Sequence, residues 1–150
     1  MEHAINATVS TKITIQAPAA KVFTYLTDLK YLYLWNPQIR SFPKNKVLSP
    51  GSTYKTESVI LGISIKSNNT VIGYKRNKEL VIENPLGNVC YTATFRLNEQ
   101  AKRTTLVLTV SLSTTRKIYV YTKPVLKQLA LRELRTDLQA LKVAVENNLE

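Results

Sequence analysis

The hydrophobic periodicity of this chain changes near Arg116, and that change limits the folds open to it. Over residues 38–113, apolar and polar residues alternate in short runs, which is typical of strands with one buried face. Beyond Arg116 the apolar residues recur every three or four positions, which is typical of an amphipathic helix. A sheet with one apolar face needs a cover, and this helix is the only predicted element long enough to provide it. The helical positions are Leu131, Leu134, Leu138, Leu141 and Val145.

The N-terminal residues predict one strand followed by two short helices. Residues 8–16 alternate cleanly, with Val9, Ile13 and Ile15 on one side. Pro18 then favours a helix start, because its missing N–H costs nothing at the first helical position. A second short helical segment is predicted over residues 28–35, and it ends at 36–37 because the residue before a proline avoids the α region.

The central region predicts about six strands joined as antiparallel hairpins. Breaks are expected at residues 49–51, 62, 68–69, 76–77, 84–87 and 99–103. Pro124 should kink the C-terminal helix or mark its true start. The sequence therefore predicts an α+β fold in which a twisted sheet curls, leaving room for a cavity beneath the helix. We expect residues 1–150 to form one domain, with 149–150 as a cloning remnant.

The composition argues against several kinds of chemistry. Cys90 is the only cysteine and His3 the only histidine, so ligands are missing for the usual zinc sites and for a hydrolytic triad. Cys90 is expected to face away from the apolar set, with nothing nearby to lower its thiol pKa. We therefore predict no metal, no cofactor and no catalytic residue. No signal peptide and no apolar run of the roughly 18 residues that span a membrane are found, so a cytoplasmic location is expected.

The charge balance is strongly basic, with 21 basic and 10 acidic residues giving +11. Such an excess attracts nucleic acid, anionic lipid or an acidic partner. The basic residues are spread along the chain, and no nucleic-acid motif is found. We expect a basic surface without a specific nucleic-acid partner, which leaves open a peripheral contact with a membrane and the oligomeric state.

Three segments resemble the SRPBCC superfamily, which includes START-like and Bet v 1-like proteins. They are ITIQAPAAKVF at residues 13–23, LYLWNP at 32–37 and DLQALKVAVE at 137–146. Within the superfamily, the chain is most similar to small single-domain polyketide cyclase/dehydrase-like proteins. The resemblance implies a helix-grip fold: a curved antiparallel sheet of about seven strands wrapped around a long C-terminal helix. It also implies an internal cavity for lipids, sterols or polyketides; some relatives are enzymes and others are carriers.

A ligand site is predicted between the sheet and the long helix. Lys55 and Glu57 share one face of their strand, and the cost of burying ions favours placing that face outward. Leu134, Leu138 and Leu141 are expected to pack against the sheet rather than contact a ligand. The predicted site comprises Tyr54, Thr56, Ser58, Ile65 and Tyr91 from strand alternation, and Trp35 and Tyr121 from the family resemblance.

The predicted function is non-catalytic binding of an apolar or amphipathic small molecule, such as a lipid, sterol or polyketide. One alternative is a cyclase/dehydratase-like enzyme working without metal through inward Tyr, Ser or Thr hydroxyls. A second is a basic module that binds a lipid surface or RNA. An uncharged cavity with hydroxyls favours the binder, an inward ionisable pair favours the enzyme, and one contiguous basic face favours the module.

Overall fold

The computed structural model describes residues 3–60, 63–115 and 123–147. Seven strands form one antiparallel sheet in the order β1-β7-β6-β5-β4-β3-β2, with α3 against β1 and α2. The elements are β1 (His3–Ile15), α1 (Ala19–Thr27), a 3-10 turn (Leu29–Tyr31), α2 (Leu32–Trp35), β2 (Ile39–Ser41), β3 (Thr53–Ile60), β4 (Ile63–Lys75), β5 (Glu79–Asn84), β6 (Val89–Gln100), β7 (Arg103–Thr115) and α3 (Lys123–Asn147).

This arrangement confirms the predicted helix-grip fold. The sheet order follows the chain from β7 back to β2, while β1 closes the other edge by pairing with β7. Each neighbouring pair is antiparallel, as short connections between consecutive strands require. The curled sheet and the short helices α1 and α2 therefore pack against α3.

The C-terminal half of α3 packs into the core against the sheet. Leu141 and Val145 are fully buried there, together with Ile15 of β1 and Leu106 of β7. Leu138 is 2% exposed and belongs to the same cluster. Leu134, one turn nearer the N-terminus than Leu138, is only partly buried. This difference leaves a space between the helix and the sheet.

Two predicted boundaries were wrong. β1 begins at His3 rather than residue 8, because residues 3–7 lack a strong apolar signal but pair with β7 through backbone hydrogen bonds. β4 runs without a break through Asn68 and Asn69. Asparagine is disfavoured in strands, but here Asn69 is buried and its amide bonds to β3.

The other landmarks lie where the sequence predicted them or outside the described residues. Pro124 is the second residue of α3, so it occupies the first turn, where it removes no helical hydrogen bond. Residues 61–62, which include the break predicted at residue 62, lie outside the described residues. The same holds for residues 116–122 and for residues 148–150 with the suspected cloning remnant. Within the described ranges, no helix has both the length and the apolar character needed to cross a bilayer.

Candidate functional site

A cavity of about 180 Å³ lies between the sheet, α2 and α3. Its apolar wall comes from several strands and both helices, so no single element defines it. Leu32 of α2, Phe95 of β6, Leu108 of β7 and Leu134 of α3 contribute to that wall. The site is therefore assembled by tertiary packing rather than by a local motif.

The structure brings six of the seven predicted site residues together around this cavity. Tyr121 is the exception, because it lies outside the described residues. The role of the six in ligand binding stays a prediction. They are Trp35, Tyr54, Thr56, Ser58, Ile65 and Tyr91.

Trp35 belongs to both the core and the cavity wall. It is 7% exposed, and its Nε1 donates a hydrogen bond of 3.0 Å to the Tyr25 carbonyl in α1. Its ring meets Phe95 edge-on, with centroids 5.9 Å apart and planes at 82°. The hydrogen bond and the aromatic contact fix the indole in one orientation at the cavity wall.

Asn69 organises the polar part of the cavity. It is 2% exposed, and its Nδ2 donates to the Tyr54 carbonyl at 3.3 Å and to Thr56 Oγ1 at 3.0 Å. The Tyr91 hydroxyl donates to Asn69 Oδ1. These bonds join β3, β4 and β6, and they satisfy polar groups that would be costly to bury alone. Sequence reasoning missed Asn69 because it interpreted the two asparagines as a turn.

The two cavity tyrosines remain protonated at neutral pH. Burial raises the pKa of Tyr54, and the neighbouring Tyr91 adds to that rise. Burial also raises the pKa of Tyr91, although hydrogen bonds with Ser67 and Thr56 oppose the change. Both hydroxyls are therefore neutral; that of Tyr91 already donates to Asn69 Oδ1 and can still accept a hydrogen bond.

Asp137 is a carboxyl group in the cavity wall that the sequence analysis did not select. Its Oδ1 is buried and has no hydrogen-bond partner among the described residues. Burial, and to a smaller extent the nearby Glu133, raise the pKa of Asp137 to about 8, against the opposing effect of a hydrogen bond with Gln38. The Gln38 amide also donates to Glu133 Oε2. At neutral pH most molecules therefore carry Asp137 as a neutral acid.

Helical spacing carried a signal for Asp137. It lies three residues after Leu134 and four before Leu141, so it falls on the apolar face of α3. A carboxyl group on such a face is costly unless it is paired or protonated. Leu134 also departs from expectation, because it lines the cavity instead of only packing against the sheet. Helical periodicity gives the direction of a side chain but not the distance to the opposite layer.

The remaining candidates lie outside the cavity. Lys55 is exposed, and Glu57 accepts a hydrogen bond of 2.8 Å from Ser64 Oγ on the exposed side of the sheet. Cys90 Sγ donates to the Pro85 carbonyl at 3.3 Å, and burial raises the pKa of its thiol. Within the described residues, no three His, Cys, Asp or Glu side chains are grouped as a metal site would require.

Comparison with known proteins gives matches in sequence pattern and in structure. The family described as polyketide cyclase / dehydrase and lipid transport matches residues 6–146. No curated protein matches the sequence significantly. A START superfamily protein from Mycobacterium smegmatis has a TM-score of 0.78 at 20% identity, covering 93% of this chain and 97% of its own.

Two further solved structures share the fold. A protein from Thermus thermophilus has a TM-score of 0.81 at 17% identity, covering 96% of this chain and 100% of its own. The Zhui aromatase/cyclase from Streptomyces sp. R1128 has a TM-score of 0.77 at 17% identity, covering 97% of each chain. At such identities the likeness concerns the fold, whereas a function must be argued from the site.

Proposed function

This chain belongs to the polyketide cyclase/dehydrase and lipid transport family, and from that premise we propose that it binds an apolar or amphipathic small molecule between the sheet and α3. The ligand class comprises lipids, sterols and polyketide-like molecules. The observation that carries the proposal is the cavity itself, which is mainly apolar and whose Asp137 carboxyl is mostly neutral at pH 7. Small-molecule sites commonly combine apolar walls with a few fixed polar groups.

The polar groups of the cavity support binding with a preferred orientation. Asn69 holds Thr56 and the Tyr91 hydroxyl through hydrogen bonds, so these groups are fixed before a ligand arrives. A ligand that matches them avoids the cost of ordering side chains on binding. The apolar wall around Phe95 and Leu108 suits the body of the same molecule.

A cyclase/dehydratase-like enzyme is the second candidate, and Asp137 is the observation that favours it. An acid whose pKa lies near neutrality can exchange a proton with a bound substrate at physiological pH. The two functions differ in one measurement. If the Asp137→Asn variant still binds a ligand that the unmodified protein converts, but no longer converts it, the enzyme is the better description.

Native mass spectrometry of freshly purified protein tests the binding function directly, since a retained small molecule adds a defined mass. Trp35 is the only tryptophan and lines the cavity, so its fluorescence reports on ligand entry. We expect at least one of long-chain fatty acids, sterols and flat aromatic polyketides to shift its emission saturably.

A matched pair of variants on β6 locates the binding. Ala93 lines the cavity, whereas its neighbour Thr94 lies on the opposite face of the strand. Ala93→Phe should fill the cavity and weaken ligand binding at least tenfold, while Thr94→Phe should leave it unchanged. The proposal fails if no mass is retained and no ligand class shifts the emission of the unmodified protein.

A further inference from the structure

The inner cavity is too small for most ligands of its class. Its volume is about 180 Å³, whereas sites for drug-sized molecules usually measure roughly 300–1,000 Å³. A lipid, sterol or polyketide that enters it must therefore extend beyond it. The chemistry of the adjoining space then decides what the rest of the ligand can be.

A second space, which we call the outer groove, adjoins the cavity. It measures about 540 Å³ and is bounded by the sheet and by Lys123 and Lys127 of α3. Tyr91 lines both spaces. The groove is lined by Asn84, Tyr91 and Leu112 of the sheet and by the two lysines, among other residues.

Two strands, β5 and β7, contribute residues of the same phase to both the cavity and the outer groove. On β5, Ile82 lines the cavity and Asn84 the groove, and both are buried alternate residues. On β7 the corresponding pair is Leu108 and Leu112, four residues apart along the strand. The two spaces therefore lie next to each other along these strands and share Tyr91, although residues of the opposite strand phase, such as Glu83 and Thr92, also border the groove.

The lining side chains of α3 also change from apolar to charged between the cavity and the groove. Leu134 lines the cavity, and Lys127 lies seven residues earlier, which is about two helical turns. Lys123 lies one further turn toward the start of α3, on the same side. A molecule that follows this row from Leu134 outward would thus meet two ammonium groups.

The outer groove has an excess of positive charge. Glu83 is the only carboxylate among its described lining residues, and it lies on the opposite face of β5 from Asn84. Neither lysine forms an ion pair with a carboxylate of the described residues. The two ammonium groups are exposed and available for a charge-assisted hydrogen bond with an anion.

We infer that the ligand is an anionic amphiphile whose apolar body occupies the inner cavity and whose single carboxylate or phosphate head lies at Lys123 and Lys127. This inference rests on the proposed function and adds the charge and the direction of the ligand. Tyr91 marks the boundary between the two parts of the molecule.

The test compares ligands that differ only in their head group. A fatty acid, an alkyl phosphate and a primary alcohol of equal chain length are titrated below their micelle concentrations at pH 7, with Trp35 emission as the readout. From the usual size of exposed ion pairs, we expect either anion to bind about 2- to 30-fold more tightly than the alcohol. That preference should shrink as salt is added.

A double variant assigns the preference to the outer groove. Lys123→Gln with Lys127→Gln should reduce the anions to the affinity of the alcohol and leave the alcohol unchanged. Lys44→Gln with Lys78→Gln is the matched control, since it removes the same charge from exposed turns outside both spaces. The control should retain the preference.

The outcomes separate the inference from the proposed function. Equal binding of the acid, the phosphate and the alcohol overturns the inference while leaving a binding function in place. The inference is also overturned if the double variant of Lys123 and Lys127 keeps the preference for anions while the control variant of Lys44 and Lys78 loses it. If none of the three ligands binds, both the inference and the proposed function fail for this ligand class.

Discussion

Two buried polar residues, Asn69 and Asp137, give the cavity its chemical character. Asn69 is fully engaged, with its amide donating to β3 and accepting from Tyr91. Asp137 has an oxygen without a partner among the described residues. The free-energy cost of burying this carboxyl group is reduced by protonation rather than by pairing with a cation. The first residue therefore stabilises the site at any ordinary pH, whereas the second makes it sensitive to pH.

The raised pKa of Asp137 predicts how stability depends on pH. The unfolded chain loses this proton near pH 4, while the folded protein keeps it up to about pH 8. Between these values the folded state binds more protons, so this residue makes the free energy of unfolding fall as pH rises. The Asp137→Asn variant has no such titration. As pH rises through this window, the free energy of unfolding of the variant should therefore increase relative to that of the unmodified protein, by at most on the order of 5 kcal/mol.

Urea unfolding at pH 4.5 and pH 8.5 measures this difference. Glu146→Gln provides the contrast, because hydrogen bonds from Lys142 and from the Gln16 backbone lower the pKa of Glu146. Glu146 thus contributes stability above its unfolded pKa, and that contribution is lost as pH falls. An effect of Asp137→Asn that is the same at both pH values would mean that the carboxyl is not protonated in the folded protein.

Among the helices and strands, α3 consists of two parts with different packing roles. Its C-terminal half closes the core through Leu138, Leu141 and Val145. Its N-terminal half, with Leu134 and Lys127, borders the cavity and the outer groove. One continuous helix therefore joins the buried core to the proposed ligand site.

Truncating Leu138 tests the packing part of the helix. Its side chain is 2% exposed, so Leu138→Ala should lower the free energy of unfolding by about 2–5 kcal/mol through lost contacts and a new cavity. Val143 is 48% exposed on the other side of α3, and Val143→Ala should change stability by less than about 0.5 kcal/mol. Both values are measured by denaturant unfolding. If Leu138→Ala lowered the free energy of unfolding by less than about 0.5 kcal/mol, the assigned helix face would be wrong.

Across the whole molecule, the net charge of +11 bears on whether the protein acts as a basic module that binds a lipid surface or RNA. Exposed basic residues occur in separate places, among them Lys12 on β1, Arg40 on β2, Lys66 on β4 and Arg103 on β7. These positions lie on strands spread across the sheet order. Such a distribution favours general attraction to polyanions over recognition of one sequence.

We therefore predict that nucleic acids bind weakly and without sequence preference. The affinity should fall steeply between roughly 50 and 200 mM salt, because binding releases counterions from the phosphates. Fluorescence anisotropy with two unrelated RNA and two unrelated DNA sequences measures both properties. Tight binding of one sequence at physiological salt would instead support an RNA or DNA interaction module.

The amino-acid pattern alone was enough to predict the order of the elements and the inward face of most of them. The alternation in β6 and β7 and the helical spacing after Pro124 are consequences of backbone geometry, which fixes the direction of each side chain locally. The predicted phase of β3, which is polar on both faces, placed Tyr54, Thr56 and Ser58 on the side where the cavity lies. Asn69 was misinterpreted because its partners are on other strands.

The volume that those faces enclose depends on how the layers pack together. Leu134 and Leu138 have the same helical pattern, but one borders the cavity and the other is packed in the core. The protonation of Asp137 and the placement of Lys127 and Tyr91 around one groove likewise depend on elements that are far apart in the sequence. Periodicity encodes direction, whereas enclosed volume and burial depend on how far the sheet curls away from α3.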